Sequence, residues 1–216
     1  MIYKVGLLGA TGRMGRELVA LLEPGFVLGE DRLELSNQEA VKVWIDFSRP
    51  EGTLSLLEKI KEPIVIGTTG FNTNQLEKIK NYSEAHPVLL TSNTSPGMNL
   101  MMKMLGYSSI AAALGYDVLA SEIHHRGKKD SPSGTLKSLL QVLEKQGIKN
   151  IQVQSARVGD EKGTHTISFF SDEEELTLTH RVNHRRVFAK GALLAAKFIA
   201  NQKKPGLYSF QDMEKL

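Results

Sequence analysis

The chain has 216 residues, a formal net charge of +3 and no cysteine, a length that suits one large domain or two small ones. With 41% hydrophobic and 24% charged residues it reads as an ordinary globular protein, which excludes disorder and gives no reason to expect a fibre. No apolar run approaches the ~18 residues of a membrane span. Gly9 and Gly12 interrupt the first apolar stretch, so no signal peptide is expected. Without cysteine there are no disulfides, thiolate metal sites or cysteine nucleophiles, and a reducing cytoplasm is the expected compartment.

Residues 4–8 form a short apolar run ending in glycines, the pattern of a buried first strand. Residues 13–22 place Met14, Leu18, Val19, Leu21 and Leu22 on a helical stripe that stops at Pro24-Gly25. Residues 41–47 read as a buried strand, and Pro50 then opens a helix with Leu54, Leu57 and Ile60 on one face. Residues 64–66 are a strand ending at Gly67-Thr68-Thr69-Gly70, residues 74–83 a polar-faced helix, and residues 88–90 a further strand. This alternation implies βαβ units and a parallel sheet.

The pattern changes after Pro96-Gly97. Residues 98–114 read as one long apolar helix, 118–123 as a strand and 136–144 as a helix stopping near Gly147. Three β-rich runs follow, at 151–158, 165–170 and 175–179, and predict an antiparallel or mixed sheet in a second domain. An Ala- and Leu-rich helix over 188–200 closes the pattern. The fold class is α/β: a Rossmann-like parallel sheet domain plus a smaller α+β domain.

Two stretches carry chemistry. In Gly9-Ala10-Thr11-Gly12-Arg13-Met14-Gly15 the glycines stand between a strand and an amphipathic helix. There a dinucleotide needs close backbone approach and free N–H groups for its pyrophosphate. The G-x-x-G-x-x-G spacing is looser than the usual fingerprint, so the strand–loop–helix context carries the assignment. Arg13 is placed to stack on adenine or approach a ribose 2′-phosphate. The acidic residue expected ~20 positions on falls at Glu30, with a plain surface turn as the alternative. NADH and NADPH both remain open as cofactor.

The second stretch runs from Glu122 to Thr135, with His124, His125, Arg126, Lys128, Lys129, Ser133 and Gly134 within it. It follows a predicted strand and enters a predicted helix whose start offers N–H and hydroxyl donors to a carboxylate or phosphate. Its imidazoles and cations point to an anionic substrate, with histidine the natural proton carrier near neutral pH. Metal ligation is not expected: adjacent histidines on a strand face opposite ways, and no third ligand is evident. Nucleic acid is not expected either, since the loop lacks interleaved aromatics and the net charge is small.

These motifs, with Ile45-Asp46-Phe47-Ser48-Arg49-Pro50, Gly67-Thr68-Thr69-Gly70, Asn93-Thr94-Ser95-Pro96-Gly97-Met98-Asn99 and Thr179-His180-Arg181, resemble the 4-hydroxy-tetrahydrodipicolinate reductase (dihydrodipicolinate reductase) family along nearly the whole chain. The resemblance implies NADH- or NADPH-dependent reduction of a cyclic imine dicarboxylate to tetrahydrodipicolinate, with loss of water, in diaminopimelate and lysine synthesis. It implies His124 as general acid/base and Lys128 as proton donor. His125, Ser133, Gly134, Thr135 and Arg185 would contact substrate carboxylates. Gly9, Ala10, Thr11, Gly12, Arg13 and Met14 would hold the pyrophosphate, and Gly67, Thr68, Thr69, Thr91, Ser92, Asn93 and Thr94 would line the nicotinamide side.

A homotetramer without membrane or nucleic-acid partners is the implied state. Residues 1–95 with 185–216 would bind the dinucleotide, and 96–184 the substrate. Two departures stand out: Gly127 occupies a position where many members carry a third histidine, and the segment before Val41 is short. Outside the family, another two-domain Rossmann dehydrogenase of the homoserine or aspartate dehydrogenase type, or a non-catalytic NAD(P)H sensor, would share the first motif.

Overall fold

The computed structural model describes residues 4–22, 27–28 and 41–213, and Glu30 lies outside them. The backbone separates into two compact units, Met1–Ser95 with Arg186–Leu216, and Pro96–Arg185.

The first unit alternates β1 (Lys4–Leu8), α1 (Arg13–Val19), β2 (Val27–Leu28), β3 (Val41–Asp46), α2 (Pro50–Leu57), β4 (Ile64–Ile66), α3 (Thr73–Ser83) and β5 (Pro87–Leu90), and is completed by α7 (Arg186–Ile199) and β10 (Gly206–Tyr208). Its six strands lie in the order β10-β5-β4-β3-β1-β2, all parallel. The strands are nearly continuous apolar runs because both faces are covered. Val5, Leu7, Val43, Ile45, Val65 and Leu89 pack with Leu18 of α1 and with Ala189, Ala192, Ala195, Ala196 and Ile199 of α7. Leu8, Trp44, Ile64, Ile66 and Val88 pack on the other face with Leu56, Leu57, Ile60 and Ile79. Alanines let α7 lie close to the sheet.

The expected helix over 13–22 ends sooner, at Val19, although Leu22 N still donates to Leu18 O at 3.0 Å. Asn72 starts α3 with a reciprocal cap, its side chain accepting from Gln75 N while the Gln75 side chain accepts from Asn72 N. Strand β10, only three residues long, follows the last long helix and has no counterpart in the sequence reading.

The second unit contains α4 (Pro96–Leu105), α5 (Ser109–Leu114), β6 (Asp117–His124), α6 (Gly134–Lys145), β7 (Ile151–Arg157), β8 (Thr164–Phe170) and β9 (Glu175–Arg181). The single helix expected over 98–114 is therefore two. Gly106, Tyr107 and Ser108 interrupt it, and the Ser108 hydroxyl donates to Leu105 O at 2.7 Å. The sheet has the order β7-β6-β8-β9. It is mixed: β6 runs parallel to β7 and antiparallel to β8, which is antiparallel to β9.

Strand periodicity sorts this sheet into two faces. Val118, Ala120, Ile167 and Phe169 pack against Met98, Met101, Met102 and Leu105 of α4 and Leu136, Leu139 and Leu143 of α6. On that same inner face the alternation turns polar at one end. Val118 and Ala120 are followed by Glu122 and His124 on β6, Ile167 by His165 on β8, and Leu178 by His180 on β9. Register places Ser155 and His165 directly beside Glu122, and His180 beside His165.

Candidate active site

The polar end of the inner face forms a buried cluster around Glu122, whose side chain is fully enclosed. Its Oε1 accepts from Ser133 N at 3.0 Å, from the Ser155 hydroxyl at 2.9 Å and from Arg157 Nη2 at 2.9 Å. Its Oε2 faces two imidazoles, with His124 Nδ1 at 3.5 Å and His165 Nε2 at 3.6 Å. Burial pushes the Glu122 carboxyl up, but donors on His165, Ser133 and Arg157 outweigh it and hold the group well below the usual carboxylate range.

His124 is the last residue of β6 and is 8% exposed. Burial and the neighbouring His165, Lys128 and Arg157 depress its pKa to about 4 against the pull of Glu122, so the imidazole is neutral at pH 7. The edge of one of the two rings meets the face of the other, centroids 4.9 Å apart. Next to His124 Nε2 lies Gly163, with φ +138, where a Cβ would stand 3.3 Å from that nitrogen. Burial and His165 likewise lower His180.

The loop after β6 presents the cations. Lys128 Nζ pairs with Asp130 Oδ1 at 2.8 Å. Burial raises the Asp130 carboxyl, but Lys128 and the Gly134 N–H bring it below its usual value. Ser133 caps α6, its hydroxyl accepting from Leu136 N at 3.1 Å. Gly134 opens α6 with free space where a side chain would stand, and Thr135 follows in the first turn.

The structure thus brings Glu122, His124, Lys128, Ser133 and the start of α6 together. His125 is half-buried just beyond the end of β6. Arg185 lies between β9 and α7, and among the described residues no hydrogen bond or ion pair joins it to the cluster.

The sequence reading saw no third polar group beside His124 and His125; the fold supplies one from a distant strand. Glu122, His124 and His165 offer ligand atoms within 4.8 Å of one another, because antiparallel pairing of β6 with β8 carries His165 across from a distant position. The cations that keep His124 neutral also oppose a divalent ion there.

In the first unit, the expected nucleotide residues stand at the carboxyl ends of β1, β4 and β5, the edge where parallel α/β sheets bind ligands. Gly9 has φ +84, and a Cβ there would lie 2.5 Å from Phe47 O. A Cβ on Gly15 would collide with Gly9 O, so α1 can start this close to β1 only with glycine at that position. Gly12 N donates to Gly9 O at 3.1 Å, and Arg13 and Met14 begin α1. Gly67 lies under the Phe47 ring, and Thr68 Oγ1 accepts from Ser48 N at 2.9 Å. Thr91 Oγ1 donates to Asn93 O at 2.9 Å, and Thr94 Oγ1 to Phe188 O at 2.8 Å.

Several functional candidates were given no role in the sequence reading. Asp46, buried at the end of β3, accepts from Ser48 N at 2.9 Å, from Ser48 Oγ at 2.6 Å and from the Thr53 hydroxyl. Burial raises its carboxyl against these donors. It ties the β3 loop to α2 beside the glycine loop; the sequence reading included it in the motif over residues 45–50 but gave it no role. Arg157, His165 and Gly163 were missed because their roles rest on cross-strand pairing. Alternation into a terminal polar residue was the available signal.

Comparison with known proteins agrees with this architecture. The family profile "Dihydrodipicolinate reductase, C-terminus" matches residues 97–213, and "Dihydrodipicolinate reductase, N-terminus" matches residues 24–94. A 4-hydroxy-tetrahydrodipicolinate reductase of Bdellovibrio bacteriovorus is 39% identical over 221 residues, covering 97% of this chain and 95% of that protein. The enzyme of that name from Helicobacter hepaticus is 38% identical over 253 residues, covering 98% of each. That second alignment is longer than this chain, so the Helicobacter protein carries segments absent here.

Among solved structures, a dipicolinate-bound dihydrodipicolinate reductase from Paenisporosarcina sp. TG-14 superposes with TM-score 0.76 at 22% identity over all of both chains. Aspartate dehydrogenase of Thermotoga maritima superposes at 0.54 with 14% identity, covering 94% of this chain and 98% of that one, a likeness of fold alone. With both profiles matched in order and relatives aligned end to end, the chain belongs to the dihydrodipicolinate reductase family.

Proposed function

We propose that this chain is a 4-hydroxy-tetrahydrodipicolinate reductase, reducing its cyclic dicarboxylate substrate with NADH or NADPH to tetrahydrodipicolinate, with release of water, on the route to diaminopimelate and lysine. Beyond family membership, one observation carries the reading: a buried, neutral His124 beside a cationic loop and a helix start, the combination a dianionic substrate that must gain a proton requires.

The nicotinamide supplies a hydride when bound. The loop Gly9 to Met14 holds the pyrophosphate, while Gly67 to Thr69 and Thr91 to Thr94 position the nicotinamide side. The unit of residues 1–95 with 186–216 serves the nucleotide and that of 96–185 the substrate. Lys128, His125, Ser133, Gly134, Thr135 and Arg185 take up the substrate carboxylates. Their charge offsets the substrate's, which raises the proton affinity of His124 once the dianion is in place. His124 and Lys128 then hold and deliver the proton that balances the hydride.

The chain acts in the cytoplasm, where both nucleotides are available. It assembles as a homotetramer through the outer face of the second sheet. In support of that assembly, this face presents Ser121, Ile123, Gln154, Thr166 and Thr179, and among the described residues no helix covers it. Light scattering in solution reads the mass directly.

The decisive assay supplies enzymatically generated substrate with NADH and NADPH in parallel and follows nucleotide oxidation. Oxidation of neither would refute the reading. Calorimetry with pyridine-2,6-dicarboxylate, a planar mimic, tests dicarboxylate recognition separately.

A further inference from the structure

We infer that Glu122 is a positioning residue that holds His124 as the Nδ1–H tautomer, making Nε2 the nitrogen that exchanges the proton with substrate. The inference rests on the reading of His124 as the proton carrier.

The argument is one of hydrogen-bond supply. A carboxylate only accepts, and a neutral imidazole has one donor and one acceptor nitrogen. Oε1 of Glu122 is taken by three donors, Ser133 N, Ser155 Oγ and Arg157 Nη2. Oε2 and His124 Nδ1 are both buried without another hydrogen-bond partner, and they stand 3.5 Å apart. A buried polar group left unmet costs about 1–3 kcal/mol. A proton on Nδ1 directed at Oε2 answers both groups after a closure of a few tenths of an ångström, whereas a proton on Nε2 would leave two lone pairs facing each other.

The other nitrogen is kept clear. Gly163 lies beside Nε2 with no side chain. Among the described residues, the groups that act on the ring are Glu122 on β6, Arg157 on β7, His165 on β8 and Lys128 on the following loop, the last paired with Asp130. Glu122 is the anion that faces the ring itself. When Nε2 takes a proton, Glu122 is the group that opposes the cations around the new imidazolium. Arg157 keeps Glu122 ionised for that purpose, and the second oxygen lone pair remains for His165 Nε2 at 3.6 Å.

The test has two independent parts. Nitrogen-15 imidazole spectra of the full chain, with His124 assigned by comparison with His124→Gln, report which nitrogen carries the hydrogen in the neutral ring. Protonated Nδ1 is expected; a protonated Nε2 would overturn the inference. Steady-state kinetics of Glu122→Gln should show kcat reduced by on the order of 100-fold or more with KM for substrate little changed, and a His124 titration moved to still lower pH. Glu122→Asp should recover part of the loss.

Full kcat in a folded Glu122→Gln enzyme overturns the inference. If that variant does not fold, the spectrum of the unsubstituted chain decides alone. Unchanged kcat in His124→Gln would instead remove His124 from the chemistry, a distinct failure that leaves the tautomer measurement standing.

Discussion

Gly163→Ala puts a methyl group against the reacting edge of His124 and nowhere else of consequence. The φ of +138 at this position is strained for any residue with a Cβ, which costs about 1–3 kcal/mol. In a chain of this length each kcal/mol lowers Tm by about 2–4 °C. The backbone cannot relax freely, because Val182 N donates to Gly163 O at 2.9 Å and the Gly163 N–H donates to Glu161.

The new Cβ would stand 3.3 Å from His124 Nε2 and 3.4 Å from Cδ2, so the ring must yield by a few tenths of an ångström. Misplacement by about 1 Å costs about 100-fold in rate, which scales to a loss on the order of tenfold in kcat. Nucleotide oxidation under saturating substrate measures it, alongside a thermal melt. Gly115→Ala is the control: φ there is +75, the same class of strain, with nothing within 4 Å, so Tm should fall with kcat unchanged. A Gly163→Ala enzyme that melts earlier but keeps its full kcat would refute the placement of chemistry at Nε2.

Two further outcomes follow from the same cluster. Arg157→Met removes the cation from Glu122 while keeping the aliphatic stem; leaving a buried carboxylate unpaired should cost about 3 kcal/mol, read by urea unfolding, and adding Glu122→Gln should restore part of it. No such coupling would mean that Arg157 and Glu122 act independently. Stability should also fall as pH drops from 6.5 towards 4. The unfolded chain protonates His124 at its ordinary value while the folded chain resists until about 4, a slope of up to about 1.4 kcal/mol per pH unit. His180 adds in the same direction. The stability conferred by Glu122 is present above its ordinary value of 4.5 and is lost as pH falls below it. His124→Phe should reduce the slope above pH 4.5, and an unchanged slope would contradict a buried neutral imidazole.

Local patterns in the sequence carried much of the architecture. Apolar runs closed by glycine revealed β1 and β4, and Pro50 marked the start of α2. The string from Glu122 to Thr135 placed Lys128 in a loop and Ser133 at a helix start, where they stand, while the strand expected to end at residue 123 runs one residue further and takes in His124.

What escaped depends on distant partners or weak signals. The break at Gly106 to Ser108 was hidden by apolar residues on both sides, and β10 is too short to show periodicity. Arg157 and His165 joined the site only when the register of β7 and β8 against β6 was known. The ribose partner proposed at Glu30 falls outside the described residues.

The order of the chain through the first unit has a consequence for its biosynthesis. Residues 96–185 are inserted between β5 and α7, so Val5, Leu7, Val43, Ile45, Val65 and Leu89 emerge from the ribosome well before the alanine face of α7 that covers them. Until α7 and β10 have been made, that sheet has an open apolar face and a bare β5 edge, both of which invite aggregation. The inserted second unit, whose contacts are closer in sequence, can complete its own core first. Nascent chains halted before Arg186 should therefore depend on chaperones that cover exposed apolar strands, and release from them should coincide with synthesis of α7 and β10.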